Sequence, residues 1–530
     1  MSFLFTHSVF ARLSHAATGG KLFPNIDSVV KGDSQLNTLS NHSTREKVKD
    51  EDLSTDAVLN KEDKDSFLVS WQGENDPDDP HNWPKARKFY VSSMIFYQTA
   101  AVYIASSVYA VSIPQITKVY DVSSTKALLG LSLFVLGYGV GPLFISPFAD
   151  MPQIGRNTLY SFSLLMFTVL QIPFTVVDGT YSAMMFCRFF TGFFTSPALS
   201  IGVNSFVDMY RGELLPYLIL IWAGAALLGP TIGPIIISYA VMNLSWRWPF
   251  YFLTASGGIG FILMLFTTPE TYGESILLNR AKRIRKETGD NRYMTAWERN
   301  REGFSLTTKL YEVFILPARA SFEPIMIYVN LFLGFTYGLF YLWFESFPLV
   351  YGGIYHFNQG IQGILFIGLG IGCVIGLILY YLCLKYYISP RLSIEGPEVY
   401  FKAMVLPTLA IPIGLFIFGW TARSDIPWIA PTIGAAIYPI GVQFVFQPIV
   451  GYIGLVYYSN LSAVMISNAV WRSCIAAAFP LFGSGTFNNL GIGRGSSMLA
   501  GISIAMTLIG TLLLKYSGPL RRASKMADPF

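Results

Sequence analysis

The chain has 530 residues, of which 52% are hydrophobic and only 13% charged, with 47 glycines. A water-soluble protein of this length would carry charge on about a quarter of its residues, so an ordinary soluble enzyme is excluded. The net charge of +5 is spread between apolar runs rather than gathered into a basic patch, which leaves nucleic acid without a binding surface.

Residues 1–86 are polar, and the stretch from Glu46 to Asp65 is dominated by charge. Such a segment cannot bury enough apolar area to fold alone, so a disordered tail is expected. Met1 to Ala17 is apolar but interrupted by His7, Arg12 and His15, which makes a poor secretory signal.

From Phe89 onward the apolar runs are each long enough to cross a hydrocarbon core of roughly 30 Å. Twelve spans are predicted near 89–112, 127–149, 158–176, 181–206, 217–240, 248–268, 323–346, 359–384, 403–420, 427–450, 461–482 and 496–516. The longest polar interruption, 269–322, divides them into a first bundle over 87–268 and a second over 323–516, followed by a tail over 517–530. This reads as an all-α membrane protein with two six-helix bundles.

Between Pro269 and Ser321 the chain carries ten Lys or Arg against seven acidic residues. Positive loops stay in the cytoplasm, so this loop is expected inside, and an even span count puts both termini there too. Parallel six-span halves place a substrate site near the midplane between them.

Individual residues carry the mechanism. Span two contains Gly137 and Gly141, which permit close helix contact, and ends at Asp150, followed by Arg156 across a short loop. That acid and base form either a surface pair or a gate latch. In span four, Arg188 sits among apolar residues, where a charge costs about 2.5 to 3.5 kcal/mol, so it should face a cavity or partner, the other reading being an arginine snorkelling to the surface. Arg472 in span eleven poses the same question, with Asn468 one turn away.

Span five reads Gly229-Pro230-Thr-Ile-Gly233-Pro234. Its prolines each remove a helix hydrogen bond, and Ala225, Gly229 and Gly233 make a smooth face. Gly368, Gly372 and Gly376 do the same in span eight, and the two faces are expected to pack on each other across the halves. Span seven puts Gly334, Gly338, Tyr341 and Glu345 on one face, with Tyr337, Trp343 and Phe344 nearby. Tyr337, Tyr341, Glu345, Asn468 and Arg472 are therefore candidate cavity residues, although an interfacial aromatic belt accounts for Trp343 and Phe344 equally well.

The four cysteines lie within apolar runs and the five histidines lie outside the predicted spans, so neither a zinc cage nor a histidine relay is expected. No phosphate-binding GxxxxGKS loop occurs. Without a nucleotide site or cofactor motif, an ion gradient is the expected driving force.

These residues together resemble the major facilitator superfamily, specifically the fungal twelve-span drug:proton antiporters. The likeness runs from about Trp71 to Leu520. It is carried by Asp76-Pro-Asp-Asp-Pro-His-Asn-Trp83-Pro84, the Gly-Pro-Leu run ending at Asp150, Arg188 with Gly192, Gly229-Pro230 and Gly233-Pro234, Trp246-Arg-Trp248, Pro269-Glu270-Thr271 and Phe479-Pro-Leu-Phe482.

The resemblance implies a monomeric, lipid-embedded exporter of azoles, benomyl-like fungicides, methylxanthines or polyamines, with protons entering in exchange. It favours the plasma membrane, the vacuolar membrane being the other address. By the same likeness Arg188 takes part in proton coupling, Gly229, Pro230, Gly233 and Pro234 set antiport, and Asp150 with Arg156 forms the gate. Three departures stand out: a longer loop before Gly155, Ala225 where glycine is usual, and no acid in span one. Asp150 and Glu345 remain as proton-carrying carboxylates. The rival readings are a proton-coupled importer of a small nutrient and a transporter-like sensor.

Overall fold

The computed structural model describes residues 8–17, 67–176, 179–300, 311–524 and 526–528. A short helix, α1 (Val9–Ala17), precedes the first bundle, which is built from α2 (Lys85–Val111), α3 (Ser124–Ala149), α4 (Arg156–Val169), α5 (Tyr181–Thr195), α6 (Gly202–Met209), α7 (Leu215–Asn243) and α8 (Trp248–Thr267). After α9 (Gly273–Thr288) comes the second bundle: α10 (Pro324–Phe347), α11 (Ile367–Cys383), α12 (Ala410–Thr421), α13 (Ile429–Val456), α14 (Leu461–Leu490) and α15 (Ile492–Ala523). Among the described residues, eleven helices are long and apolar enough to cross a membrane.

The twelfth expected span is present as a broken column. Chain from Tyr181 to Met209 runs through α5, a turn at Pro197–Ser200 and α6, none of them long enough alone. Pro197 has no N–H to give the preceding turn, yet Ser196 and Ile201 keep right-handed helical dihedrals. The column therefore bends without reversing. Hydroxyls of Thr191, Thr195 and Ser200 bond back to carbonyls one turn earlier, which satisfies backbone acceptors near the break.

Small residues set how closely the helices approach. A Cβ on Gly137 would lie 2.2 Å from the Phe189 carbonyl oxygen, and one on Gly192 would lie 2.1 Å from that of Phe134. Gly141 similarly meets Ser196 and Phe193. These glycines lock α3 to α5, as the sequence led one to expect.

The glycine faces of α7 and α11 behave differently. Both helices do pack together across the halves, but Gly229 and Gly233 abut Tyr103 and Ser107 of α2, and Gly368, Gly372 and Gly376 abut α13 at Thr432, Ala436 and Gln443. Each smooth face is used inside its own bundle. Between α7 and α11 the contact is instead Gly224 against Leu377, where a leucine fills the groove a glycine leaves. Pro230 and Pro234 lie inside α7, which stays helical past both.

The expected disordered tail and plain central loop also need correction in their described parts. Leu68–Val69 pairs in parallel with Met294–Thr295. Beside this pair, Asp76 is 1% exposed and takes two hydrogen bonds from Arg280, at 2.7 and 3.0 Å, and one each from the amides of Gln72 and Asp78. Arg280 also reaches Asp78 at 2.8 Å. Asp79 pairs with Arg211 at 3.7 Å, and the Tyr272 hydroxyl donates to the Asp150 carbonyl, so the clip is fastened to the first bundle. Composition argued for disorder because it counts charges; it does not see that one arginine of α9 satisfies the acids at a distance of some two hundred residues. The rest of the tail, residues 1–7 and 18–66, lies outside the described residues.

At Asp76, burial pushes the carboxyl upward, but the Arg280 and backbone hydrogen bonds outweigh it and hold the group below its ordinary value. A depressed folded value means that the clip contributes stability above the ordinary carboxylate range and loses it as pH falls through the depressed value. Asp76→Asn leaves Arg280 buried with half its partners, a change that costs about 3 to 5 kcal/mol for buried pairs. Limited proteolysis of the native protein is expected to cut within 67–84 faster in the variant at neutral pH, the two proteins converging in strong acid.

Candidate functional site

The two bundles enclose a cavity of about 340 Å³ that opens at the end bearing α9 and the clip. Its mouth is formed by helix ends at Asp150, Leu215, Tyr458 and Leu461, and its walls by Trp222, Tyr380, Phe446, Gln447 and Met465. Tyr103, Tyr138 and Arg472 lie at its depth.

Beyond that depth the halves are joined by hydroxyls. Tyr138 of α3 donates to the Tyr337 hydroxyl of α10 at 2.9 Å and lies 3.1 Å from that of Tyr341. Tyr341 in turn donates to Ser106 of α2 at 3.0 Å. Further toward the opposite end, Gln115 donates to Gln359 at 2.7 Å, and Gln359 to the Val111 carbonyl. Polar groups of both bundles thus satisfy one another where the cavity is closed, leaving it open at the other end.

The predicted cavity residues divide accordingly. Arg472 and Asn468 line the cavity, Asn468 donating to Asn330 at 3.0 Å. Tyr337 and Tyr341 sit behind it as its seal. Glu345 belongs to a separate cavity of about 200 Å³ at the closed end, with Gln359, Gln362 and Ser484. The face holding Gly334, Gly338 and Glu345 meets α14 at Ile475, Phe479 and Gly483. Both Glu345 oxygens are buried, with the Ser484 backbone amide beside the carboxylate and no cation paired with it among the described residues. Trp343 packs on Phe418 and Tyr438, and Phe344 stacks on Phe366; these rings fill the interior rather than a membrane belt.

Arg188 is 1% exposed, faces neither the cavity nor the surface, and has no carboxylate beside it among the described residues. Its Nε donates to the Gly130 carbonyl at 3.0 Å and its two terminal nitrogens to the Ala105 carbonyl at 3.3 and 3.2 Å. The guanidinium lies over the rings of Tyr109 and Phe134 at 4.6 and 4.5 Å. Of the cavity or partner expected for Arg188 from the sequence, the geometry supplies backbone partners and no cavity. The arginine instead ties α5 to α2 and α3.

At the open end Arg156 pairs more closely with an acid other than the one the sequence singled out. Asp150, 45% exposed in its side chain, stands 4.0 Å from Arg156, whereas Asp208 of α6 forms a direct ion pair with Arg156. Glu270 accepts from the Arg156 amide at 2.9 Å and takes Arg12 of α1 at 3.2 Å. Gly155, at φ +75, turns the chain so that these amides face Glu270; a Cβ there would lie 2.2 Å from its carboxylate. Asp208 closes an apolar span and carries no spacing signal, while Glu270 stood only within a quoted motif.

Residues 95–480 match the model of the Major Facilitator Superfamily. The chain is 37% identical over 487 residues to the Cycloheximide resistance protein of Candida maltosa, covering 89% of this chain and 88% of that protein. With Fluconazole resistance protein 1 of Saccharomyces cerevisiae it shares 32% identity, covering 94% and 91%. The solved structure of the proton:xylose symporter XylE with a bromodeoxyglucose superposes with a TM-score of 0.58 at 13% identity, covering 82% of this chain and 96% of that one, a likeness of fold alone. Two joined helical bundles around a cavity, the family match over most of the chain and relatives aligned almost end to end agree: the chain belongs to the major facilitator superfamily.

Proposed function

We propose that this protein exports structurally varied small toxic compounds across the plasma membrane by alternating access, with protons moving in exchange. The observation that carries the reading is the cavity open at one end and closed at the other by hydroxyls from both bundles, since that seal is made of bonds that can be exchanged rather than of a fused core. The printed names of the relatives, which concern resistance to cycloheximide and fluconazole, support toxic compounds as cargo. The basic central loop supports a cytoplasmic position for the open end and both termini. A monomer suffices, because each chain encloses its own cavity.

Within this scheme Arg156, Asp208 and Glu270 form the latch that holds the first bundle's cytoplasmic ends, with Asp150 as a peripheral member. Arg188 acts as a positioning residue, keeping α2, α3 and α5 together as the halves rock. Gly229, Pro230, Gly233 and Pro234 shape α7 against α2. For the proton, Glu345 is favoured over Asp150. A buried carboxylate with no cation beside it is costly, and Glu345 is buried with no ion-pair partner among the described residues while Asp150 is half exposed.

Purified protein in proteoliposomes provides the test: substrate is expected to move against an opposing proton gradient, and accumulation in the direction of proton flow would establish an importer instead. Arg188→Ala is expected to lower flux at least about tenfold, equivalent to the 1.4 kcal/mol of one lost hydrogen bond to a charged group, with the protein still folded. Glu345→Gln should retain downhill exchange of substrate but lose its dependence on the pH gradient; an unchanged gradient dependence would remove Glu345 from coupling. For the latch, Asp208→Asn should slow transport far more than Asp150→Asn, measured as initial rates at equal protein content.

A further inference from the structure

Among the described residues, two of the buried arginines, Arg188 and Arg472, have no carboxylate paired with them, and their surroundings differ in a way that bears on cargo. Arg188 spends its guanidinium on two backbone carbonyls outside the cavity. Arg472 is 7% exposed, lines the cavity, and keeps a buried Nε–H with no acceptor. No carboxylate pairs with it among the described residues. Its guanidinium lies 5.0 Å from the Tyr337 ring and 5.2 Å from that of Phe446, and the Tyr103 hydroxyl is its hydrogen-bond partner. Among the described residues the only other charged one lining the cavity is Asp150, at the mouth and beside Arg156.

A buried cation without a counter-ion is costly, and Arg472 lines the space a ligand would fill with the part of its side chain beyond the closed-off Nε–H. We infer that Arg472 is the anchor for aromatic cargo bearing a carboxylate or a comparable delocalised anion, and that amines and polyamines are poor cargo for this cavity. The inference rests on reading this cavity as the substrate site. A planar oxyanion accepts two N–H donors from the guanidinium fork, while its ring lies among Tyr103, Tyr138 and Phe446. Neutral acceptors gain the hydrogen bond without the charge. An ammonium meets a like charge and finds no acid at that depth to hold it, which sets this cavity apart from the polyamine end of the range the family likeness implies.

The test uses one scaffold with three ends: 2-naphthoate, 2-naphthamide and 2-naphthylmethylammonium, titrated at neutral pH against purified full-length protein in lipid nanodiscs by calorimetry. Naphthoate is expected to bind at least about tenfold more tightly than the amide, a difference of roughly 1.4 kcal/mol, and the ammonium weakest. Arg472→Gln should erase the preference for carboxylate over amide while keeping the amide within about threefold of its original affinity. Arg472→Lys should retain part of it, as a point charge does without the fork. Tightest binding by the ammonium, a preference unchanged in Arg472→Gln, or no binding of naphthoate would each overturn the inference. Failure of the export reading looks different: naphthoate binds in the expected order but is not moved by a pH gradient in proteoliposomes.

Discussion

A polar side chain buried away from water is costly unless it finds a partner within the protein, and at the closed end of the cavity this chain supplies such partners from opposite bundles. Tyr138 bonds to Tyr337, Tyr341 to Ser106, and Gln115 to Gln359. Each bond is modest, on the order of 0.6 kcal/mol between membrane helices, so the closure is a sum of small, separable terms. A seal of that kind can be undone without unfolding either bundle, whose own helices are locked by backbone approaches at Gly137, Gly192 and Gly372. The difference in stiffness between the bundles and their junction is what allows movement to concentrate at the junction.

The same demand explains why two similar residues have diverged. Arg188 fell where two helices offer carbonyl oxygens, Gly130 and Ala105, and it is consumed by them. Arg472 fell where the neighbours are phenol rings, which stabilise a cation through their faces but leave its Nε–H unanswered. Depth in the membrane does not decide whether a charge is structural or available to a ligand. The acceptors on the adjoining helices do.

Much of the architecture was legible in the sequence because hydropathy is a local property: the bundles, the division near 269–322 and the α3 glycines follow from runs and spacing. Span four was legible as hydropathy but not as a break, since Pro197 acts on backbone geometry. The pairing of α7 with α11 could be read, but not which faces meet, because a small-residue stripe fits any close neighbour and both stripes found theirs within their own bundle. Arg156 was visible as one half of an ion pair, whereas its partner Asp208 needed the fold to bring α6 beside α4. Tyr103, Tyr138 and Ser106 were hidden because a tyrosine in an apolar run looks like any other ring until a hydroxyl from the other half meets it.

The clip formed by Asp76, Asp78 and Arg280 bears on range of travel. By fastening α9 to the segment ahead of the first bundle, and that segment to Arg211, it anchors the early part of the connector to one side. The second bundle then swings on the remainder of the connector alone, a leash taken in at one end. Its arc is shortened accordingly, and the opening of the cavity's mouth is bounded by that leash as well as by the residues that line it.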